Sequence, residues 1–405
     1  MNVLFVLPSF PLPADSGAAI AAVETLRSLY PHCNLSLLVP PPRIERDASE
    51  ARLRQLLPGV MLHIYAGHAA PSHAAIYRAA ALSLLTGRCY WELIWRDRGL
   101  RAAVVRLTAN ERFDVVLCEW LQPAVSLQGL DLPLVVREHD VHFIRMRDGA
   151  ASRGSGLGKM FWQMQARRLR AFEIGVLSDA AAVVTLSVED EAILRGEGVR
   201  NVCTIAPPCG IPVDLATPSK PDGRALAVFI GRLDDDVNRE AFFLFAREVW
   251  PRVRADVRVQ TRVVFAGGVP DDAVRRGAAE CGLEIQAPLS DADAGGLLAA
   301  ADIVLLPITS GTGIKIKTLN AMSRGKATIG FANAFRGVGV TNGSDALIAE
   351  SAEDFAGLIE MLIEDPSRRG VIGAAAKELI RVQFDPDALA LRLIDVYRRV
   401  SSQRA

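Results

Sequence analysis

Ala301-Asp302-Ile303-Val304-Leu305-Leu306-Pro307-Ile308-Thr309-Ser310-Gly311-Thr312-Gly313-Ile314-Lys315-Ile316-Lys317 is the most informative stretch of the chain. An apolar strand-like run ends at Pro307, a turn follows, and a helical pattern opens over 317–323. Gly311 and Gly313 permit positive φ and close backbone approach. The N–H groups of such a turn, with the helix N-terminus, would point at an anion. Lys317, one turn into the helix, would add a full charge. The spacing is not a Walker motif, which needs Gly-Lys-Ser/Thr, and it is not Gly-x-Gly-x-x-Gly. Taken alone, the stretch fits a tight turn with surface lysines equally well.

On both sides of it, short β-branched runs alternate with helical stretches, the order that gives parallel sheets covered by helices. In the first half, residues 2–8, 34–39, 60–65, 115–118, 134–137 and 182–186 read as strands. Helices are expected over 19–30 and 159–177. Breaker-rich segments at 206–212 and 217–223 mark a boundary. Beyond it, 225–230, 262–266, 303–306, 327–330 and 346–349 read as strands. Residues 239–250, 292–300, 317–323, 352–363 and 368–382 read as helices, with a last helix over 387–400. The expected domains are therefore 1–210 and 224–385, followed by a terminal segment, 386–405. Two doubly wound domains place a cleft between them. Ligands of such sheets bind at the carboxyl ends of the strands, often on helix N-termini. This predicts a cleft enzyme handling an anionic small molecule.

Composition narrows the classes. The 405 residues suit about two or three domains. Half are hydrophobic, enough for large cores. Lys+Arg and Asp+Glu are each 46, so no cation excess exists for nucleic acid, and no nucleic-acid partner is expected. No apolar run reaches the ~18 residues of a membrane span. The nearest, 74–87, carries Arg78. The apolar start, 3–7, is stopped by Pro8 without a basic lead-in and reads as a buried strand, not a signal peptide. Six scattered cysteines form no Cys-x-x-Cys pair and fit buried thiols in a reducing cytoplasm.

Residues 302–326, ending Leu319-Asn320-Ala321-Met322-Ser323-Arg324-Gly325-Lys326, resemble the donor-site signature of the family-four glycosyltransferases. Phe229-Ile230-Gly231-Arg232-Leu233 is similar to that family's first donor-domain strand and basic diphosphate clamp. Asn238 and Val249-Trp250-Pro251 look like one bacterial branch of it, and 264–268 looks like the next strand. Pro11-Leu12-Pro13 and Ser16-Gly17-Ala18 resemble the acceptor-domain glycine loop. Arg137-Glu138-His139-Asp140 and Ser187-Val188-Glu189-Asp190 resemble two further landmarks. The resemblance covers nearly the whole chain. It implies an α/β GT-B fold, with two facing Rossmann-like doubly wound domains and a C-terminal crossover helix, bearing Tyr397, that returns to the first domain.

The resemblance also implies transfer of a sugar, with retention of configuration, from a nucleotide-diphosphate donor of UDP or GDP type. No other cofactor and no metal are implied. Carried over by position, Gly17 lets its loop approach the donor phosphates, and Gly231 stands beside the clamp. His139 contacts the transferred sugar. Arg232 and Lys317 bind the diphosphate and stabilise its departing charge. Gly311, Thr312 and Gly313 line the phosphates and sugar. Asn320 meets the ribose hydroxyls. Ser187 and Glu189 lie near the interdomain face, although a helix N-cap explains Ser187 as well. The expected acceptor is a glycan, lipid-linked or small-molecule hydroxyl in bacterial polysaccharide or glycoconjugate assembly.

Two departures stand out. The family's paired glutamates correspond to Thr312 and Asn320. Replacing a charged ribose acceptor by the neutral Asn320 costs about 1 kcal/mol, or about fivefold in affinity. The lysine that often follows the Arg232 position is replaced by Asp234-Asp235-Asp236, an acidic run beside a diphosphate site. Both departures favour a competing reading, a non-catalytic GT-B protein that binds nucleotide or glycan beside a partner enzyme. A sugar-nucleotide epimerase is a further rival, with only Glu138 and His139 as evident cleft catalysts.

On the acceptor side, 137–170 holds eight Arg or Lys against three acids, with Phe161 and Trp162 among them. This fits peripheral contact with an anionic inner-membrane surface, or a solvated helix with two core aromatics. The cluster Tyr90-Trp91-Glu92-Leu93-Ile94-Trp95 is expected to pack inside the acceptor domain rather than bind sugar. The expected location is cytoplasmic.

Overall fold

The structure is a computed structural model that describes residues 1–14, 16–42, 45–67, 72–151, 155–212 and 223–403. The boundary segment 217–222 and Arg153 of the basic stretch lie outside the described residues. The chain groups into two compact units. One comprises 1–13, 22–208 and 386–405; the other comprises 14–21 and 209–385.

The first unit is built on seven strands: β1 (Asn2–Val6), β2 (Asn34–Val39), β3 (Met61–Ile64), β4 (Val115–Glu119), β5 (Leu134–Glu138), β6 (Ala182–Thr185) and β7 (Val202–Thr204). Their order is β3-β2-β1-β4-β5-β6-β7, and every pair is parallel. β4, β5 and β6 are buried at every residue. A parallel strand covered on both faces needs a continuous apolar run, which is what 115–118 and 182–184 supply. The last helix, Pro386–Ser402, belongs to this unit and buries Leu389, Leu393, Tyr397 and Val400. Arg392 Nη2 donates to the Thr204 carbonyl at 2.9 Å, tying that helix to the end of β7.

The second unit holds β8 (Ala225–Ile230), β9 (Thr261–Ala266), β10 (Glu284–Gln286), β11 (Ile303–Leu306), β12 (Ala327–Phe331) and β13 (Leu347–Ala349). Their order is β10-β9-β8-β11-β12-β13, again parallel. Both sheets thus share a Rossmann-like winding in which the first strand lies beside the fourth. Aromatic rings fill the second core. Phe265 lies 5.1 Å from Phe229, 5.1 Å from Phe242 and 5.4 Å from Phe245, ring centre to ring centre.

The structure departs from the sequence expectations in two places. The single helix expected over 239–250 is an α-helix, Asp236–Leu244, a π turn, Phe245–Val249, and a 3-10 turn, Trp250–Arg252. Pro251 has no N–H to continue the helical ladder. The wide turn lets Phe245, Val249 and Trp250 all enter the core, where Trp250 Nε1 donates to the Cys281 carbonyl at 3.1 Å. β7 and β10 have three residues each, too few to show a period. The helix expected over 159–177 runs Leu157–Asp179, and Glu173, Val176 and Leu177 bury around Gly175 within it.

Truncation at the centre of the aromatic cluster should be costly. Phe265→Ala is expected to lower unfolding free energy by about 3–5 kcal/mol in denaturant titrations. A loss below about 1 kcal/mol would show that Phe265 is not central to that core.

Candidate functional site

In the second unit, the side chain of Asp302 opens β11 by accepting from the Leu226 N–H at 2.7 Å, which fixes β11 against β8. The strand ends at Leu306 and the chain turns through Gly311 (φ 91°) and Gly313 (φ 72°), conformations that cost a side chain energy. Lys315 then reaches back over the turn. Its ammonium donates to the carbonyls of Thr312 at 2.9 Å, Gly313 at 3.0 Å and Gly311 at 3.3 Å. Asn333 Nδ2 also donates to the Gly311 carbonyl, at 3.1 Å. Because each trans peptide carries its N–H opposite its carbonyl, the N–H groups of Thr312, Gly313 and Ile314 are directed away from the lysine. The helix Ile316–Ser323 begins immediately after.

Lys317 is half-buried, with its ammonium hydrogen-bonded to Asn238 Oδ1 and 4.7 Å from the centre of the Phe229 ring. Burial pushes this ammonium down to about 7, although nearby Asp235 opposes the shift. Asn238 is held in turn by donating from Nδ2 to the Arg232 carbonyl at 2.8 Å. Gly231 closes this corner. A Cβ there would stand 2.6 Å from Lys317 Nζ and 3.0 Å from Asn238 Oδ1.

The acidic run is partly occupied locally. Asp234 pairs with Arg232 at 2.7 Å, and that pairing holds its carboxyl below the usual range. Asp235 caps the helix Asp236–Leu244 by accepting from the Val237 N–H at 3.1 Å. Arg232 therefore lies next to Lys317 through Asn238, but its guanidinium is engaged with a carboxylate. Thr312 and Asn320 are half-buried, and the Asn320 carbonyl accepts from Arg324 Nη1 at 3.0 Å. Gly17 opens the helix Gly17–Leu29 and groups with the second unit, where a Cβ on it would lie 3.5 Å from Ile316. Gly17, Gly231, Arg232, Gly311, Thr312, Gly313, Lys317 and Asn320 thus all belong to this unit.

In the first unit, charged side chains crowd the carboxyl ends of β4 and β5. One oxygen of Glu119 takes both Arg137 Nη1, at 2.5 Å, and His139 Nε2, at 2.6 Å. All three residues are buried. Burial alone would raise the Glu119 carboxyl, but Arg137 and His139 outweigh it and hold it below the usual range. Burial likewise pushes His139 down, against the pull of Glu119. The neutral ring then donates from Nε2 and carries its lone pair on Nδ1. The next residue along β4, Trp120, has φ 68° and sets its indole 4.8 Å from the His139 ring. A bulky residue in that region of φ is strained, and such strain concentrates at functional sites.

Beside it, His142 Nδ1 lies 2.8 Å from Glu138 and 3.7 Å from Glu173. Glu173 also accepts the N–H groups of His142 at 2.9 Å and Phe143 at 2.8 Å, capping the helix His142–Ala151. Glu138, His142 and Glu173 offer ligand atoms within 4.8 Å of one another, a set that could hold a metal ion. Burial disfavours the His142 charge, but the two carboxylates outweigh it and hold the imidazole well above its usual range.

Other expected residues have structural places. Ser187 accepts from the Asp190 N–H at 3.2 Å and caps the helix Val188–Gly196. Trp91 is buried and packs 5.0 Å from His142, and Tyr90 meets Trp162 edge-on at 5.5 Å. The aromatic cluster is thus packed in the first unit. Sequence reasoning passed over Glu119, Trp120, Lys315 and Asn333. For Glu119 a signal existed, since a carboxylate ends an otherwise apolar parallel strand.

Residues 224–365 match the family model described as Glycosyl transferases group 1. Several solved structures share the whole architecture. Sucrose-phosphate synthase from Thermosynechococcus elongatus is 15% identical, with a TM-score of 0.73 and full coverage of both chains (100% each). HepE from Anabaena, in complex with UDP-glucose, is 15% identical, with a TM-score of 0.67 over 98% of this chain and 100% of its own. TarM is 10% identical, with a TM-score of 0.69 over 98% of each chain. The fold is GT-B. No curated protein sequence matches the chain. Within this GT-B chain, the segment that matches the family model contains the whole 311–317 turn, Gly231, Arg232 and Asn320.

In Gly231→Ala the added methyl meets the Lys317 ammonium, the far end of a flexible side chain, and presses on the Asn238 amide. Thermal unfolding of this variant should change by no more than a few degrees. Affinity for a nucleoside diphosphate should fall about tenfold or more as the ammonium is displaced. Unchanged affinity would place the anion elsewhere.

Proposed function

We propose that this chain is a retaining glycosyltransferase. It moves a sugar from a nucleoside-diphosphate sugar to a hydroxyl of a glycan, lipid-linked or small-molecule acceptor, in bacterial polysaccharide, lipid-linked glycan or glycoconjugate biosynthesis. The observation that carries this reading is Lys317. Its ammonium is depressed by burial and faces a neutral amide, beside a turn whose N–H groups point away from Lys315. A diphosphate in that corner would restore the lysine's charge and accept those N–H groups.

In this reading, Gly17, Gly231, Gly311, Thr312 and Gly313 let the backbone approach the donor, and Asn320 accepts from the ribose. Lys317, with Arg232 released from Asp234, stabilises the negative charge that grows on the departing diphosphate. That is the role a metal ion takes in other transferases, and no metal is assigned. The leaving phosphate oxygen assists deprotonation of the acceptor hydroxyl on the same face, so configuration is retained and no protein base is assigned. His139, in the first unit, is assigned to the transferred sugar on the family resemblance. The UDP-glucose bound by HepE favours a UDP-type donor over GDP. The location assigned is cytoplasmic, with peripheral contact at the inner membrane surface.

Two observations favour the non-catalytic alternative. Arg232 is paired with Asp234, and Asn320 stands where a charged ribose acceptor is expected. That arrangement fits a nucleotide- or glycan-binding partner protein that does not turn over its ligand.

Titration calorimetry with UDP-glucose distinguishes these readings from a mere turn. The donor's diphosphate does not titrate near neutrality, so proton uptake reports the protein. A lysine near 7 is about one-tenth protonated at pH 8 and becomes charged against the diphosphate. Binding at pH 8 should therefore take up about one proton, read from buffers of different ionisation enthalpy, and uptake should vanish below about pH 6. Lys317→Met should abolish the uptake and weaken binding. Binding without uptake, or uptake that survives Lys317→Met, would refute the diphosphate assignment. Binding with normal uptake but no transfer or donor hydrolysis would select the non-catalytic reading.

A further inference from the structure

The helix His73–Thr86 of the first unit carries its apolar residues on the wrong side for a globular surface. At 100° per residue, Ala74, Tyr77, Arg78, Ala81, Leu82, Leu84 and Leu85 share one broad face. Leu85 is 84% exposed, Tyr77 74% and Leu84 59%. The opposite side, at Ala79 and Ser83, is buried. There Ser83 accepts from Gln165 Nε2 at 2.7 Å and from Arg168 Nη1 through its carbonyl at 2.7 Å, both from the helix Leu157–Asp179. That second helix exposes Leu157 and Met160 on its first two turns. Amphipathicity is therefore satisfied inward by small and polar side chains and left open outward by large apolar ones.

Of the cations on these two segments, Arg78 and Arg167 are exposed and Lys159 is half-buried, while Arg88 pairs with Glu92 at 2.5 Å, Arg170 pairs with Glu197 and Arg168 donates to the Ser83 carbonyl. The helix has 14 residues, about 21 Å, against the ~30 Å of a bilayer core. Among the described residues no helix is long and apolar enough to cross a membrane. Such a face, cationic, apolar and too short to span, fits the interface plane of a bilayer.

We propose that the outer face of the helix His73–Thr86, flanked by the start of the helix Leu157–Asp179, docks the first unit onto an anionic lipid bilayer. Leu84, Leu85 and Tyr77 enter the headgroup–acyl boundary. Arg78, Lys159 and Arg167 meet the anionic headgroups. The basic stretch singled out in the sequence supplies the flank, while the segment first weighed only as a span supplies the inserted face. This deepens the peripheral location in the functional reading and rests on it for nothing but the choice of compartment. Lipid binding and donor binding are measured separately, so either can fail alone.

The test is co-sedimentation of the full chain with vesicles of phosphatidylcholine containing about one-third phosphatidylglycerol, against phosphatidylcholine alone. The chain should bind the anionic vesicles, bind the neutral ones at least tenfold more weakly, and be released by raised salt. The double variant Leu84→Ser/Leu85→Ser should lose about tenfold or more, and Arg78→Glu severalfold. All variants should keep the wild-type melting temperature and UDP-glucose affinity, since these side chains are exposed. Should the double variant misfold, Leu85→Trp provides a second readout. Its added indole should shift to shorter emission wavelengths with anionic vesicles only. Wild-type chain that ignores anionic vesicles, binds both compositions equally, or binds undiminished in the double variant would overturn the proposal. So would light scattering that shows a dimer abolished by Leu84→Ser/Leu85→Ser, because the face would then belong to a second copy.

Discussion

One ammonium holding three successive carbonyls organises the second unit's site. Lys315 gathers the oxygens of Gly311, Thr312 and Gly313 to one side of the turn. A turn with two glycines at positive φ has many alternatives, and this cation selects one of them. The peptide planes then aim their N–H groups the other way, away from that ammonium. Lys317 follows two residues later, with Asn238 and Gly231 limiting where its ammonium can stand. One lysine shapes the cradle, and burial leaves the other only partly protonated near neutral pH until an anion arrives.

The first unit solves a different electrostatic problem. Burying Glu119, Arg137, Glu138 and Glu173 removes strongly hydrated groups from water, which costs several kcal/mol per ion unless each is paired. Pairing is partial, since Arg137 Nε and Nη2 and the second oxygen of Glu119 have no hydrogen-bond partner among the described residues. Glu119 serves both Arg137 and His139, and Glu173 both caps a helix and faces His142. Tyr397, from the last helix, is buried within reach of the same Arg137 and Glu119 charges. Networks of this kind fix orientation more than they add stability. Here they set the tautomer of His139 and hold its ring tilted against the strained Trp120.

The architecture was legible because apolar strands and breaker-rich turns follow simple periods. All eleven strands read from the sequence exist, and the two missed ones have three residues each. The 311–317 segment was legible as a turn because its glycines follow an apolar strand ended by Pro307, while its spacing alone fitted surface lysines equally well. What the sequence hid were pairings made at long range. Nothing local shows that Asn238 will hold Lys317, that Asp234 will claim Arg232, or that Lys315 will fold back on its own turn. The π turn at Phe245–Val249 was hidden likewise, since core packing and not propensity decides it. The outward face of the helix His73–Thr86 was visible only as an apolar run. Its exposure needed the position of Ser83 against Gln165 to be known.

Hydrogen–deuterium exchange of the full chain with and without UDP-glucose tests the central claim most directly. If the carbonyl-tethered turn is the diphosphate cradle, donor should slow exchange at the amides of residues 312–317, and Lys315→Ala should remove most of that protection. Protection confined to other segments, or equal protection in Lys315→Ala, would contradict the account.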